Sequence, residues 1–387
     1  MALYRDLISL IANQVVIGDA LDLLKKLPDN FAHCIVTSPP YYALRDYGVE
    51  GQLGLEATHE LYIERLTKVF SEARRVLRED GVLWLNIGDS YSRGTVGGIK
   101  EKDLIGIPWA LAFALRAEGW YLRGEQIWEK AVVMPESVRD RPTRSHEQVF
   151  LFSKSPHYFY DQDAEREPHK LEYVQRRHTF VSGESKTYRS DRDPNMILRY
   201  DGVPVGNPAG RNLRTVWKIN PQPYKGAHFA VFPPKLPERC IKLGTSEHGA
   251  CSSCGAPWVR ILERVIPDAP RFESNVVPDN TPHQRFGWEQ QRIRDENPPV
   301  TTGWQPTCTC DAGIVPCVVL DPFSGSGTTL AVAVELGRSY LGIELNPKYK
   351  ALIEARLRGP LEDASERSNF EDDFDYMEQL MAEFDGS

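Results

Sequence analysis

Two blocks of alternating strand-like and helix-like sequence, far apart in the chain, restrict this protein to folds built on a mostly parallel sheet covered by helices. In the first block, Val15 to Gly18 and Cys34 to Thr37 are short β-branched runs, and Leu21, Leu23, Leu24 and Leu27 give the segment Ala20 to Leu27 helical spacing. A longer helix is expected from His59 to Leu77, a buried strand from Val82 to Ile87 and a helix from Pro108 to Glu118. Strands are expected at Tyr121 to Trp128 and Gln148 to Ser153. The second block repeats the theme near the end: strand Val318 to Leu320, glycine turn Ser324 to Gly327, helix Thr328 to Leu336, strand Tyr340 to Glu344 and helix Tyr349 to Leu357. The two blocks can be halves of one sheet.

Between them the periodicity fails. Residues from about 161 to 226 are polar, arginine-rich and broken by Gly and Pro, and a second Pro-rich polar stretch separates Cys251 from Cys310. The net charge of −8 argues against a nucleic-acid binder only until it is divided: residues 361–387 hold ten Asp or Glu against Arg367 alone. That tail carries −9 and leaves +1 for residues 1–360, so the overall acidity belongs to the tail. Residues 163–226 carry twelve Lys or Arg against eight Asp or Glu, with Arg176, Arg177, Arg189, Arg192, Arg211 and Arg214 among them. This local excess suits a polyanionic partner and equally suits a solvated surface. With 41% hydrophobic and 26% charged residues, a wholly disordered or collagen-like chain is excluded. No apolar run reaches the length of a membrane span, and no export signal is evident, so a cytoplasmic location without membrane contact is expected.

The segment Asp321-Pro-Phe323-Ser-Gly325-Ser-Gly327-Thr328-Thr329 joins a strand to a helix. Glycines there let the backbone turn tightly and approach a ligand at the carboxyl end of the strand, where open α/β sheets bind ligands. No Gly-Lys-Ser/Thr ending follows, which disfavours a nucleoside triphosphate. Glu344 closes the next strand, where a carboxylate would meet a ribose diol. The turn and Glu344 together point to an adenosine-containing cofactor, a purely structural turn being the alternative.

In Thr37-Ser38-Pro39-Pro40-Tyr41, two prolines extend the backbone at a strand end and remove two amide donors. A hydroxyl, outward carbonyls and an adjacent aromatic ring make a site for a planar amino compound. The competing reading is a rigid loop with a packed tyrosine.

With both motifs in place, the chain resembles the amino-directed DNA methyltransferases that use S-adenosylmethionine, in the permuted group whose catalytic motif precedes the cofactor motif. Gly18-Asp19, Trp84-Leu-Asn86-Ile-Gly88-Asp89, Ile127-Trp128-Glu-Lys130 and Phe232-Pro233-Pro234-Lys235 match in the same order. The resemblance implies an α/β fold: a circularly permuted, Rossmann-like methyltransferase sheet with an inserted target-recognition region, to which two cysteine pairs add an expected zinc knuckle by their spacing. The implied organisation is a catalytic half at 1–160, a target-recognition region at 161–226, a cofactor-binding half at 227–250 and 311–360, a zinc-knuckle insert at 251–310 and an acidic tail at 361–387. It places the strands at 318 and 340 beside the strand at 15.

By the same resemblance, Ser38 and the Pro39 carbonyl accept the amino hydrogens of a base flipped out of double-stranded DNA, Pro40 holds the segment and Tyr41 stacks on the base, with Tyr42 as packing. Asp19, Thr37, Asp321, Phe323, Gly325, Gly327, Thr328 and Glu344 line the S-adenosylmethionine site. Ser38, where adenine enzymes of the family carry Asp or Asn, favours N4 of cytosine over N6 of adenine. Asp89 is either an orienting group or a helix cap, and Lys130 and Trp128 either meet DNA or pack. A restriction endonuclease encoded alongside is the further partner implied.

Cys251-Ser-Ser-Cys254-Gly255 and Cys308-Thr-Cys310 are two tight thiol pairs suited to one tetrahedral, structural zinc, although their separation is longer than in compact zinc fingers and unligated thiols are the alternative. His248 and Cys317 are substitute ligands, and Cys34 and Cys240 read as buried apolar residues. Two other functions stay open: a methyltransferase acting on RNA or a protein amide, and a non-catalytic zinc-containing DNA binder.

Overall fold

The structure, a computed structural model, describes residues 3–92, 94–95, 98–130, 132–133, 136–167, 178–180, 188–190, 193–200, 210–221, 232–263 and 299–358. They form two compact units. The first comprises Met1–Asp161, Thr215–Trp258 and Pro306–Ser387, and the second Gln162–Arg214 and Val259–Gln305.

The first unit is built on one eight-stranded sheet. Its elements in chain order are α1 (Tyr4–Ile11), β1 (Gln14–Ile17), α2 (Ala20–Lys26), β2 (Ala32–Thr37), α3 (His59–Val76), β3 (Leu77–Ile87), α4 (Ile107–Ala117), β4 (Tyr121–Glu129), β5 (His146–Ser153), β6 (Val216–Lys218), α5 (Lys235–Gly244), β7 (Val318–Asp321), α6 (Thr328–Glu335), β8 (Ser339–Glu344) and α7 (Lys350–Leu357). Across the sheet the order is β1-β8-β7-β2-β3-β5-β4-β6. Only β5 runs against the others.

The permuted α/β sheet expected from the sequence is therefore present. β8, from the end of the chain, pairs with β1, and β7 pairs with both β8 and β2. The strand at 318 is thus one step further from β1 than expected. All six residues of β2 are buried, the pattern of a central parallel strand with helices on both faces. The helices bury apolar stripes against the sheet, α3 over β3 with Tyr62, Leu66, Val69, Phe70, Ala73 and Val76, and α4 over β4 with Ile107, Leu111, Ala112 and Leu115. α1 and α5, which the alternating pattern did not reveal, are amphipathic and bury Ile8 and Ile11, and Leu236, Cys240 and Ile241. Cys34 and Cys240 are fully buried, as small apolar residues would be.

In the second unit, Asp193–Tyr200 pairs antiparallel with His178–Phe180 and Tyr188–Ser190. Arg166–Glu167 pairs with Arg211–Asn212. Of the arginines singled out in the basic region, Arg211 and Arg214 both donate to the Glu167 carboxylate, at 2.9 and 2.8 Å. Arg176, Arg177 and Arg192 lie outside the described residues, as does the acidic tail. No helix among the described residues is long and apolar enough to cross a membrane.

Candidate active site

Parallel strands end together, so the carboxyl edge of the sheet collects residues that are remote in sequence. Register pairs Ile17 with Glu344 and Leu320 with Ile35, which brings Gly18, Ser38, Pro322 and Leu345 to the same edge. There they border a cavity of about 830 Å³, lined among others by Asp19, Ser38, Pro39, Pro40, Tyr41, Phe323, Gly325, Thr328 and Glu344. That volume lies in the upper part of the range of small-molecule pockets.

Thr37, Asp321 and Gly327 lie beneath this wall rather than on it. Thr37 and Asp321 are each 1% exposed, and the Thr37 hydroxyl donates a 2.6 Å hydrogen bond to Asp321 Oδ1. The same oxygen takes the Phe323 amide at 3.1 Å, and Ser324 Oγ donates to the Asp321 carbonyl at 3.0 Å. Burial pushes the Asp321 carboxyl up to about 6, against the pull of the Thr37 hydroxyl. Gly327 has φ +74°, and a Cβ there would lie 2.7 Å from Ile353 Cγ2, so both its backbone angle and its contact with α7 require glycine.

Glu344 straps the turn to the next strand: its carboxylate takes the Gly325 amide at 2.8 Å and the Asn346 amide at 2.8 Å. Burial raises its pKa to about 7, against those two amides. Asp19 lines the cavity too, but its carboxylate caps α2 by accepting the Asp22 amide at 3.0 Å. A carboxylate beside a glycine turn, with Phe323 as apolar neighbour, is a donor set that fits the ribose and flat ring of an adenosine-containing group.

On the other side of the cavity, Tyr62 OH donates to the Pro40 carbonyl at 2.6 Å and fixes the proline segment. Ser38 Oγ donates to Tyr41 OH at 3.3 Å, and Tyr41 OH donates to Glu147 Oε2 at 2.6 Å. Asn86 Nδ2 donates to the same Glu147 oxygen at 3.1 Å, while Lys130 pairs with Glu147 Oε1. Burial, and then the Glu147 charge, hold the Tyr41 phenol well above its ordinary pKa. Tyr42 is packed against Tyr62. Trp128 Nε1 donates to the Ile219 carbonyl at 2.9 Å, and Lys130 lies over the Trp128 ring.

Glu147 was not singled out from the sequence, and Asn86 entered only within a motif. A signal existed for each: Asn86 is an amide inside the apolar run of β3, and Glu147 lies in the polar start of β5, two residues before the apolar run Val149–Phe152. Asp89, left between two readings, is a cap. Its carboxylate accepts the amides of Gly106 at 2.9 Å and Ile107 at 3.0 Å, at the start of α4.

The four cysteines 251, 254, 308 and 310 converge, their sulfurs all within 4.8 Å of one another. Tetrahedral zinc with Zn–S near 2.3 Å needs sulfurs about 3.8 Å apart, so the set fits that ion. The turn holds the first pair together: Gly255 has φ +73°, its amide donates to the Cys251 carbonyl at 2.8 Å, and the Ser253 amide points at Cys251 Sγ at 3.4 Å. His248 instead packs on Trp258, and Cys317 is a buried thiol. The cluster docks at the opposite edge of the sheet, through His33 Nε2 to the Gly255 carbonyl at 2.8 Å and Arg78 to the Cys254 carbonyl at 2.9 Å. His33 and Thr37 lie on one strand, about 13 Å apart at 3.3 Å per residue, so the cysteine cluster is remote from the cavity.

The sequence profile of the DNA methylase family matches residues 32–251 and 317–355. The chain is 37% identical over 363 residues to the Type II methyltransferase M.XycI of Xanthomonas campestris pv. cyanopsidis, covering 88% of this chain and 86% of that protein. It is 35% identical over 365 residues to M.SmaI of Serratia marcescens, covering 89% and 90%. Among solved structures, the PvuII DNA methyltransferase (cytosine-N4-specific) superposes with a TM-score of 0.51 at 17% identity, covering 95% of this chain and 92% of that one, a likeness of fold.

Proposed function

The chain belongs to the family of amino-directed DNA methylases, and from that premise we propose that it transfers a methyl group from S-adenosylmethionine to N4 of cytosine in double-stranded DNA. The observation that carries this reading is the single cavity bordered by both Ser38 and Gly325, although 287 positions separate them.

Bound S-adenosylmethionine supplies an electrophilic methyl group on a sulfonium. Gly325, Phe323, Thr328 and Glu344 would hold it, Glu344 would take the ribose hydroxyls and Asp19 would lie near the adenine, while Thr37, Asp321 and Gly327 set the shape of the turn from below. The exocyclic amine is a poor nucleophile because its lone pair is delocalised into the ring. Ser38 Oγ and the Pro39 carbonyl accept its two hydrogens and draw the nitrogen toward tetrahedral geometry, which frees the lone pair. Holding the two reactants in line is worth about 7–11 kcal/mol of barrier. The base reaches the cavity by leaving the duplex, at a cost of a few kcal/mol, and stacking on the Tyr41 ring returns about 1–3 kcal/mol. Cytosine follows from Ser38 standing where a carboxylate or amide serves adenine. Residues 161–226, apart from the sheet strand β6 that they contain, read the target, and the Type II names of the relatives support a companion restriction endonuclease.

Cys251, Cys254, Cys308 and Cys310 would hold a structural zinc ion, which would fasten the knuckle beside α1 and the amino ends of the strands; with four thiolates as its ligands it would serve structure rather than catalysis.

The deciding experiment supplies methyl-labelled cofactor and duplex DNA, then digests the product to nucleosides. Label in N4-methylcytosine is expected. Label in N6-methyladenine reverses the base assignment, and label only in RNA or protein overturns the substrate class.

A further inference from the structure

Methylation leaves the amine with a proton too many, and nothing in the Ser38-Pro39-Pro40 segment is a base strong enough to keep it. The hydrogen bonds around Tyr41 have a direction that answers this. Ser38 donates to Tyr41 and Tyr41 donates to Glu147, so each hydroxyl proton points away from the place where the amine would sit. Ser38 keeps its lone pairs for the amine. At the far end stands a carboxylate with 14% of its side chain exposed, backed by Asn86 and Lys130.

Resting on the amino-methyltransferase reading above, we propose that Ser38, Tyr41 and Glu147 form a proton exit in which Glu147 is the terminal acceptor. The amine lone pair forms a bond to the methyl carbon as that carbon's bond to the donor sulfonium breaks, and the electron pair leaves with sulfur. One amine proton passes to Ser38 Oγ, the Ser38 proton to the Tyr41 oxygen and the Tyr41 proton to Glu147 Oε2. The nitrogen ends neutral, both hydroxyls are restored and Glu147 becomes a neutral carboxyl beside the Lys130 ammonium. Tyr41 passes the proton in a concerted shift, since its buried site disfavours a tyrosinate. The 3.3 Å link from Ser38 is the long step, and catalytic hydrogen bonds of this kind tighten when substrate binds.

The test is single-turnover methyl transfer by the full chain on duplex DNA, with cofactor and DNA affinities measured in parallel. Glu147→Gln keeps the shape and an acceptor for Tyr41 but is no base. It is expected to slow transfer by about 100-fold or more while both Kd values stay as in wild type. Tyr41→Phe cuts the path in the middle, and the double variant should be no slower than the slower single one, because the residues act as a unit. Small carboxylates added to Glu147→Ala should restore the rate in order of their base strength. Full-rate transfer by Glu147→Gln, multiplying defects in the double variant, or rescue indifferent to base strength overturns the relay. Absence of labelled DNA with the wild-type chain overturns the functional reading and the relay with it, so the two failures are distinct.

Discussion

Gly88 lies against the ring edge of Tyr41: a Cβ built at position 88 would come within 2.5 Å of Tyr41 Cε2 and 3.0 Å of Cδ2. The ring is therefore held between the end of β3 and the Glu147 carboxylate, and glycine is required there by space. In Gly88→Ala the ring must move, and a displacement of about 1 Å near reacting atoms costs on the order of 100-fold in rate. Methyl transfer is expected to fall by that order with cofactor affinity unchanged. Gly94→Ala, which meets nothing within 4 Å, serves as the control. Equal rates in the two variants would remove the ring's positioning from the account.

Ser38→Ala deletes the proposed acceptor for the amine and the hydrogen bond from Ser38 to Tyr41, while the Gly325–Glu344 contact is untouched. Turnover should drop by about 100-fold or more and the Kd for cofactor should hold. Similar, mild changes in both would deny Ser38 its role.

Glu344 makes stability depend on pH in a stated direction. Its pKa is raised on folding from an ordinary 4.5 to about 7, so the native state favours the protonated form. The resulting stabilisation is complete below about 4.5 and is lost as the pH rises through about 7. Asp321 adds a smaller loss as the pH rises through about 6. The Glu344 share is on the order of 3 kcal/mol at most, from about 1.4 kcal/mol per unit. Urea melts of the cofactor-free protein between about pH 5 and pH 8 should lose stability with rising pH, and Glu344→Gln should flatten that slope. Parallel slopes would count against the buried carboxyl. Cofactor binding should tighten over the same interval in wild type, because ribose hydroxyls prefer the ionised acceptor.

Asp89→Ala separates capping from chemistry. Losing the cap on α4 should cost about 1–2 kcal/mol of stability, read from denaturant midpoints. The rate per folded molecule should be that of wild type; a large rate defect in a stable variant would return Asp89 to the active site.

For the cysteine cluster, metal analysis after dialysis should find about one zinc per chain, absent from Cys251→Ser/Cys254→Ser. Because zinc binding is coupled to folding, chelation should lower the Tm steeply. Enzyme that stays folded should keep its rate, since the cluster docks at the edge of the sheet away from Ser38. Folded wild-type protein with no zinc would reject the knuckle.

Residue order by itself determined the elements and their chemistry. β1 and β2 announced themselves by β-branched runs, β7, α6 and β8 by their places around the glycine turn, and the four thiols by their pairing; the observed ends of these elements fall within a few residues of those expected, because periodicity and turn chemistry depend on near neighbours. α1 and α5 escaped because each lies outside the alternating blocks and is stabilised by the face it buries. Only the tertiary structure decided that Asp89 caps α4, that Thr37 reaches Asp321 and that Tyr41 reaches Glu147. Those partners stand 17, 284 and 106 positions apart. Such pairs are chosen by which strands lie side by side and by where buried polar atoms find donors, and no local pattern along the chain encodes either.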